Sequence, residues 1–331
     1  MRFLCAKRSL FPFLFLYTVF FAFFIVATAQ NTTNNTTETN NKNKTDETLD
    51  YDVLLAGIKY HDELVKSGEA NVVYSIEQTT LPVGHRDRSN TLSGAIIFDS
   101  DNIHWDTPSK TIILKPNSSW QVILYPKSKR RPLYFFAPQK SELPNYLVDP
   151  RRWFSISNHQ DLPTYLRNEN FQIQKTEILK DDQGKDVFCY VLDKQYIEIS
   201  KDKQADTFTR IWISPERGFR YMKFEIQQPT QVDINDGKIK QGTFMNTRIT
   251  LSYQQFGEIW FPKKGVTNTS LIDSDGKKQT IIRQTMETKN CKLNHSIPEE
   301  IFTMDIPDDV EIQVNNRKLS KAAFLRQYGQ K

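Results

Sequence analysis
The 331-residue sequence predicts a mainly β protein built on one large antiparallel sheet with few helices. Three observations lead there. Short β-branched and aromatic segments recur at close intervals along residues 69–290. Several of the links between them end in Gly (Gln183-Gly184, Asp236-Gly237, Asp275-Gly276), which supplies the positive φ that tight hairpins require. No long helical pattern stands between strands, as the crossovers of a parallel sheet would demand, so the reading excludes a parallel sheet.

The elements follow in order. Residues 1–29 hold Arg2, Lys7 and Arg8, a charge-free run over 10–26 and then Ala27-Thr28-Ala29, the pattern of a cleaved secretory signal. The alternative is a retained anchor. Residues 30–48 (QNTTNNTTETNNKNKTDET) are polar low complexity that cannot repay its ordering entropy, so they read as a disordered Asn/Thr-rich linker. The folded part is expected over 49–331 as a single domain.

Within it, Val53, Leu54, Ile58, Leu64 and Val65 recur mostly at helical spacing and predict an amphipathic helix over 51–66, closed by Ser67-Gly68. Strands are expected at 69–79, 94–98, 102–106, 111–114, 120–125 and 132–136. A break with Pro138, Pro144, Pro150 and Pro163 covers 137–170, where Asp161 can cap a short helix. Strands resume at 173–179, 187–192, 196–200, 207–214, 221–228, 243–256, 259–269 and 279–290, and 319–328 forms a short helix.

Composition narrows the function. Removing residues 1–29 leaves 41 basic and 39 acidic side chains, a balance that argues against a nucleic-acid footprint. No phosphate loop, nucleophile elbow, H-E-x-x-H or Cys-x-x-Cys occurs in the sequence. His61, His85, His104, His159 and His295 are scattered, so no catalytic residue, metal site or cofactor is assigned. Asp273-Ser274-Asp275-Gly276 has its Gly too early for a calcium loop and reads as a hairpin turn. The basic stretches 84–88 and 127–131 read as solvated hairpin tips, with an anionic partner or lipid headgroup as the sharper alternative. Cys189 and Cys291 remain open between a disulfide and two free thiols.

The aromatic content of the strands stands out. Trp105, Trp120, Tyr125, Phe135, Trp212, Phe224 and Trp260 either fill a core or line an apolar cavity on a curved sheet too wide for one helix to cover.

A helix leading directly into a strand over 54–77, then 94–105 and 120–135, resembles the LolA-like outer-membrane lipoprotein carrier superfamily. Leu162-Pro163-Thr164-Tyr165-Leu166, Phe188-Cys189-Tyr190-Val191-Leu192 and the run from Arg210 to Gly218 resemble its larger, divergent bacterial members, as do 257–263 and 297–307. The resemblance implies an unclosed antiparallel β-barrel with helices in its concave face, and an apolar cavity that shields acyl chains. It implies a periplasmic, non-catalytic, monomeric carrier or binding protein for lipid or lipoprotein acyl chains. The alternative is an envelope-stress sensor of the RseB type, which binds a membrane-bound partner protein.

Overall fold
In the computed structural model the described residues are 50–79, 88–108, 111–115, 120–125, 133–138, 149–152, 161–198, 205–230, 243–273, 275–303, 308, 311–314 and 317–328, with the backbone alone for 88, 120–125, 133–138, 152, 195–198, 205–206, 230, 243, 311 and 328. The strands are β1 Ser67–Gln78, β2 Arg88–Asp99, β3 Asn102–Asp106, β4 Thr111–Leu114, β5 Trp120–Tyr125, β6 Leu133–Pro138, β7 Gln172–Lys180, β8 Asp186–Glu198, β9 Ala205–Ser214, β10 Arg220–Thr230, β11 Thr243–Phe256, β12 Ile259–Ile272, β13 Lys278–Leu293, β14 Glu311–Val314 and β15 Arg317–Leu319. They form one 15-stranded sheet in the order β15-β14-β6-β5-β4-β3-β2-β1-β13-β12-β11-β10-β9-β8-β7. Its end strands β15 and β7 do not pair with each other, so the sheet is unclosed. The predicted mainly β, antiparallel architecture is present.

Among the described residues three α-helices accompany it: α1 Tyr51–Glu63, α2 Leu162–Asn168 and α3 Lys321–Tyr328. Asp50 caps α1 by accepting the Asp52 N–H at 3.0 Å, and the helix buries Leu54, Leu55 and Ile58. It stops before the predicted residue 66 because Asn294 intervenes. The Asn294 side chain accepts the Lys66 N–H at 3.0 Å and donates to the Leu64 carbonyl at 2.7 Å, which draws the chain straight into β1. The Asp161 cap of α2 forms as expected, accepting the Thr164 N–H at 2.7 Å.

Two turn expectations are met by one device. Asp181 accepts the N–H groups of Gln183 and Lys185, and Asp273 accepts those of Asp275 and Lys277, while Gly184 and Gly276 take φ of 77° and 78°. Asp273, Asp275 and Gly276 thus belong to a hairpin turn, as expected. Asp236-Gly237 and the basic stretches at 84–87 and 127–131 lie outside the described residues.

Three differences have physical causes. The predicted segments 187–192 and 196–200 merge into β8, since Asp193 and Lys194 are each paired, with Arg210 and Glu169, and so need not leave the strand. Residues 311–314 form a strand the sequence reading did not assign, and it pairs with β6 in parallel, the one parallel pair among the described strands of an otherwise antiparallel sheet. Cys189 and Cys291 are free. They sit on β8 and β13, five strands apart, about 24 Å at the usual spacing, so the disulfide weighed for them is not formed.

Candidate functional site: an apolar sheet face
Residues directly opposite one another across a strand pair share a face, so the register assigns each side chain. Leu192, Ile211, Phe224 and Ile249 form one row across β8 to β11. On this row lie Leu54, Leu55 and Ile58 of α1, with Leu166 of α2 and Phe171 just beyond it, in one buried cluster. The next row of the same face runs Leu251, Gly265, Met286, Tyr74 and Leu92, carrying the surface from β11 into β2.

Ala70, Ile96, Trp105 and Ile112 then continue it to β4, as do Gly68, Phe98, Ile103 and Leu114. These residues join Val65, Phe261 and Met286 in a second buried cluster, where the rings of Phe98 and Phe261 stack at 6.2 Å. The Arg151 guanidinium lies 4.2 Å over Phe98, and its charge is met by the fully buried Asp149 at 2.6 Å. A ring nitrogen of His104 sits 2.7 Å from the Ile301 carbonyl, which ties the 3-10 turn Glu299–Phe302 to β3. Around this cluster Tyr74, Leu92, Leu114, Phe256 and Ile259 are only half-buried.

The seven aromatic residues singled out from the sequence do not all converge. Trp105 and Phe224, 5% and 6% exposed, lie on this face but in the two different clusters. Trp212, 2% exposed, points to the reverse face and packs with Val187, Cys189, Val191 and Met222. There its indole N–H donates to Glu177 at 2.6 Å and the Lys223 ammonium lies 3.7 Å from its ring centroid. Trp260 is half-buried beneath the Arg217 guanidinium, 4.2 Å from its ring. The side chains of Trp120, Tyr125 and Phe135 lie outside the described residues; their backbones pair with Pro138, Leu133 and Ile123.

A shallow depression of about 290 Å³ opens where α1 begins, lined by Tyr51, Asp52, Leu166, Arg167, Phe171 and Gln172. Asp52 and Arg167 face each other across its mouth at 3.6 Å. Burial raises the Tyr51 hydroxyl's pKa, with Arg167 opposing. Burial also pushes the Cys189 thiol up to about 12, which keeps it protonated and inert. Among the described residues no three His, Cys, Asp or Glu gather as a metal site would need.

The reverse face holds what sequence reasoning missed. Asp193, Arg210, Glu225, Arg248, Asn268, Arg283 and Glu77 stand in one row across seven strands, β8 to β1. Asp193 binds Arg210 through two 2.6 Å contacts, and Glu225 accepts from Arg248 at 2.9 Å and from Asn246 at 3.1 Å. Burial works to raise the Glu225 pKa, yet these hydrogen bonds outweigh it and hold the carboxyl below its ordinary value. Each strand shows its own member of the row in sequence, but only the register reveals that they align.

No family model matches the chain, and no curated protein matches it in sequence. Among solved structures it is similar to a DUF1329 family protein from Desulfovibrio piger, with a TM-score of 0.36 and 10% identity over 76% of this chain and 96% of that one. It is also similar to lipovitellin, in a structure described by its lipid–protein interactions, with a TM-score of 0.25 and 8% identity over 70% of this chain and 26% of that one. Both scores lie below 0.5, so the functional reading rests on the chain's own residues.

Proposed function
We propose that the protein is an exported, non-catalytic carrier or binding protein that shelters the acyl chains of lipids or lipoproteins against the apolar face of its open sheet. One observation carries the reading: apolar rows run along one face from β8 to β4, while among the described residues the buried cluster that α1 joins draws its strand residues from β8–β11. A 13-residue helix is about 20 Å long, whereas fifteen strands span about 67 Å across the sheet, so one helix cannot cover it. Half-buried Tyr74, Leu92 and Leu114 mark the thinly covered part. Each acyl methylene buried there gains about 0.8 kcal/mol, enough over a chain to hold a lipid without chemistry. The signal-like leader and the resemblance to lipoprotein carriers support placing this activity in the periplasm.

The test is mass spectrometry of organic extracts from residues 30–331, purified without detergent from an extracytoplasmic host, with uptake of a fluorescent fatty acid as a second readout. Stoichiometric lipid, with uptake lost in Leu92→Lys while the thermal transition is kept, is the expected result. An empty protein that takes up no acyl probe overturns the reading.

A further inference from the structure
On the reverse face of the sheet, the geometry points to a binding site for a phosphate group, formed by Arg248, Arg283 and Lys278 around Asn268. The cross-sheet row supplies the reason. From β8 it alternates acid and base through Asp193, Arg210, Glu225 and Arg248, each sign facing its opposite. The next place in that alternation calls for a carboxylate and holds Asn268, after which come Arg283 and, facing it on β1, Glu77. Two guanidinium-bearing residues therefore flank a neutral amide.

Opposite-sign pairs across strands are the stabilising arrangement, and like charges with nothing between them cost energy. Arg248 is satisfied on one side by Glu225 at 2.9 Å but is 44% exposed. Arg283 is exposed and stands opposite the exposed Glu77 of β1, on the side away from Asn268. At the usual strand spacing their backbones stand about 10 Å apart, so two long side chains can close on one tetrahedral anion placed over Asn268.

The surroundings fit an anion. On one side the neighbouring row carries Thr250, Val266 and Thr285, and on the other Asn246, Ser270 and Thr280, so neither adjacent row adds a carboxylate. The third cation, Lys278, donates to the Asn246 amide oxygen at 2.9 Å. Its pKa is lowered, chiefly by burial and next by the charge of Arg248, with Glu225 opposing. Three cations, Arg248, Arg283 and Lys278, thus stand around Asn246 and Asn268 against two carboxylates, Glu225 and Glu77, an excess of positive charge that suits an oxyanion. This site is independent of the apolar face, being on the opposite side of the same strands.

The probe is inorganic phosphate, titrated calorimetrically into the mature protein at low salt, beside sedimentation with vesicles of phosphatidylglycerol and of phosphatidylcholine. Wild type is expected to bind phosphate, and Arg283→Gln, which breaks no contact among the described residues, to weaken binding about tenfold. Asn268→Asp restores the alternation and is expected to abolish binding while leaving the melting temperature unchanged or higher. Co-sedimentation with phosphatidylglycerol vesicles that Asn268→Asp removes supports the site with a lipid headgroup as its source. Phosphate binding without vesicle binding supports it with a free or small-molecule phosphate. No phosphate binding by wild type, or binding that both variants leave intact, overturns it.

Discussion
Strands β8–β10 and strands β11–β13 belong to one sheet, yet they treat their two faces differently. In β8–β10 both faces are buried: Leu192, Ile211, Ile213 and Phe224 on one side, Val187, Val191, Trp212 and Met222 on the other. In β11–β13 the first face stays apolar through Ile249, Leu251 and Met286, whereas the reverse turns polar and open at Arg248, Thr250, Lys264 and Arg283. The sequences carry the same contrast. Val187 to Leu192 is an unbroken apolar run, as a strand buried twice must be, and Thr247 to Tyr253 alternates, as a strand buried once must. Where the sheet is covered on both sides it is scaffold; where one side is released to water, that side becomes available for recognition.

The largest way to break this contrast is to truncate equivalent reverse-face positions in the two regions. Trp212→Ala removes a fully packed indole and leaves the Glu177 carboxylate with Lys175 as its remaining partner, and is expected to cost about 3–5 kcal/mol. Thr250→Ala, in the row of Trp212 but on β11, should fall within about 0.5 kcal/mol of wild type. Chemical denaturation of both variants decides it, and similar losses would mean the reverse face of β11 is buried too.

Charge at the boundary gives the next effect. Glu225 is the last buried acid before the row opens to solvent, and Arg248→Ala leaves it without its strongest partner. About 1–3 kcal/mol should be lost, the lower part of the range reflecting how exposed the arginine is. The same pair predicts acid sensitivity. Because the folded pKa of Glu225 lies below its ordinary 4.5, its stabilisation is present above that value and is lost as pH falls through the folded pKa. Denaturation midpoints compared at neutral pH and in acid should drop less in Glu225→Gln than in wild type, and an equal drop would assign the acid response elsewhere.

A smaller effect separates close packing from backbone freedom. A Cβ at Gly57 would come within 2.5 Å of the Phe219 ring, so Gly57→Ala must push α1 off the β9–β10 connection and should cost about 1–3 kcal/mol. At Gly184 there is open space but φ is +77°, and Gly184→Ala should cost nearer 1 kcal/mol. Thermal melts of the two variants order them, and the reverse order would place α1 less tightly on the sheet.

Local features of this fold were legible in the sequence because their causes are local. Asp161 before Leu162-Pro163 names its own helix cap, Gly184 and Gly276 mark their own turns, and β-branched runs mark strands to within a few residues. The site was legible only in part. Ile211-Trp212-Ile213 shows that adjacent residues face opposite ways, but not which way is outward, so Trp212 was grouped with Trp105 and Phe224 although it lies behind them. The row from Asp193 to Glu77 joins residues as far apart as 77 and 283, and its meaning depends on a register fixed by bulges at Tyr221/Lys223 and Ser252/Tyr253 that single strands do not announce. Strand β14 was missed for a similar reason, being four residues whose only pairing partners, β6 and β15, include one far away in sequence.

The smallest expected effect tests the edge of the doubly buried region. Strand β7 ends the sheet, and its approach is set by α2, whose Asp161 cap holds the Thr164 N–H while Leu166 and Phe171 anchor the exit against α1 and β8–β11. Asp161→Ala removes one capping bond on an exposed residue and should cost about 1 kcal/mol. The anchors stay in place, so the loss should be felt locally. Hydrogen exchange is expected to quicken in 162–168 while the amides shared by β8 and β9 keep their protection. Quickening that spread into β8 and β9 would show that the short helix helps hold the scaffold together, and would move the boundary between scaffold and recognition surface outward by a strand.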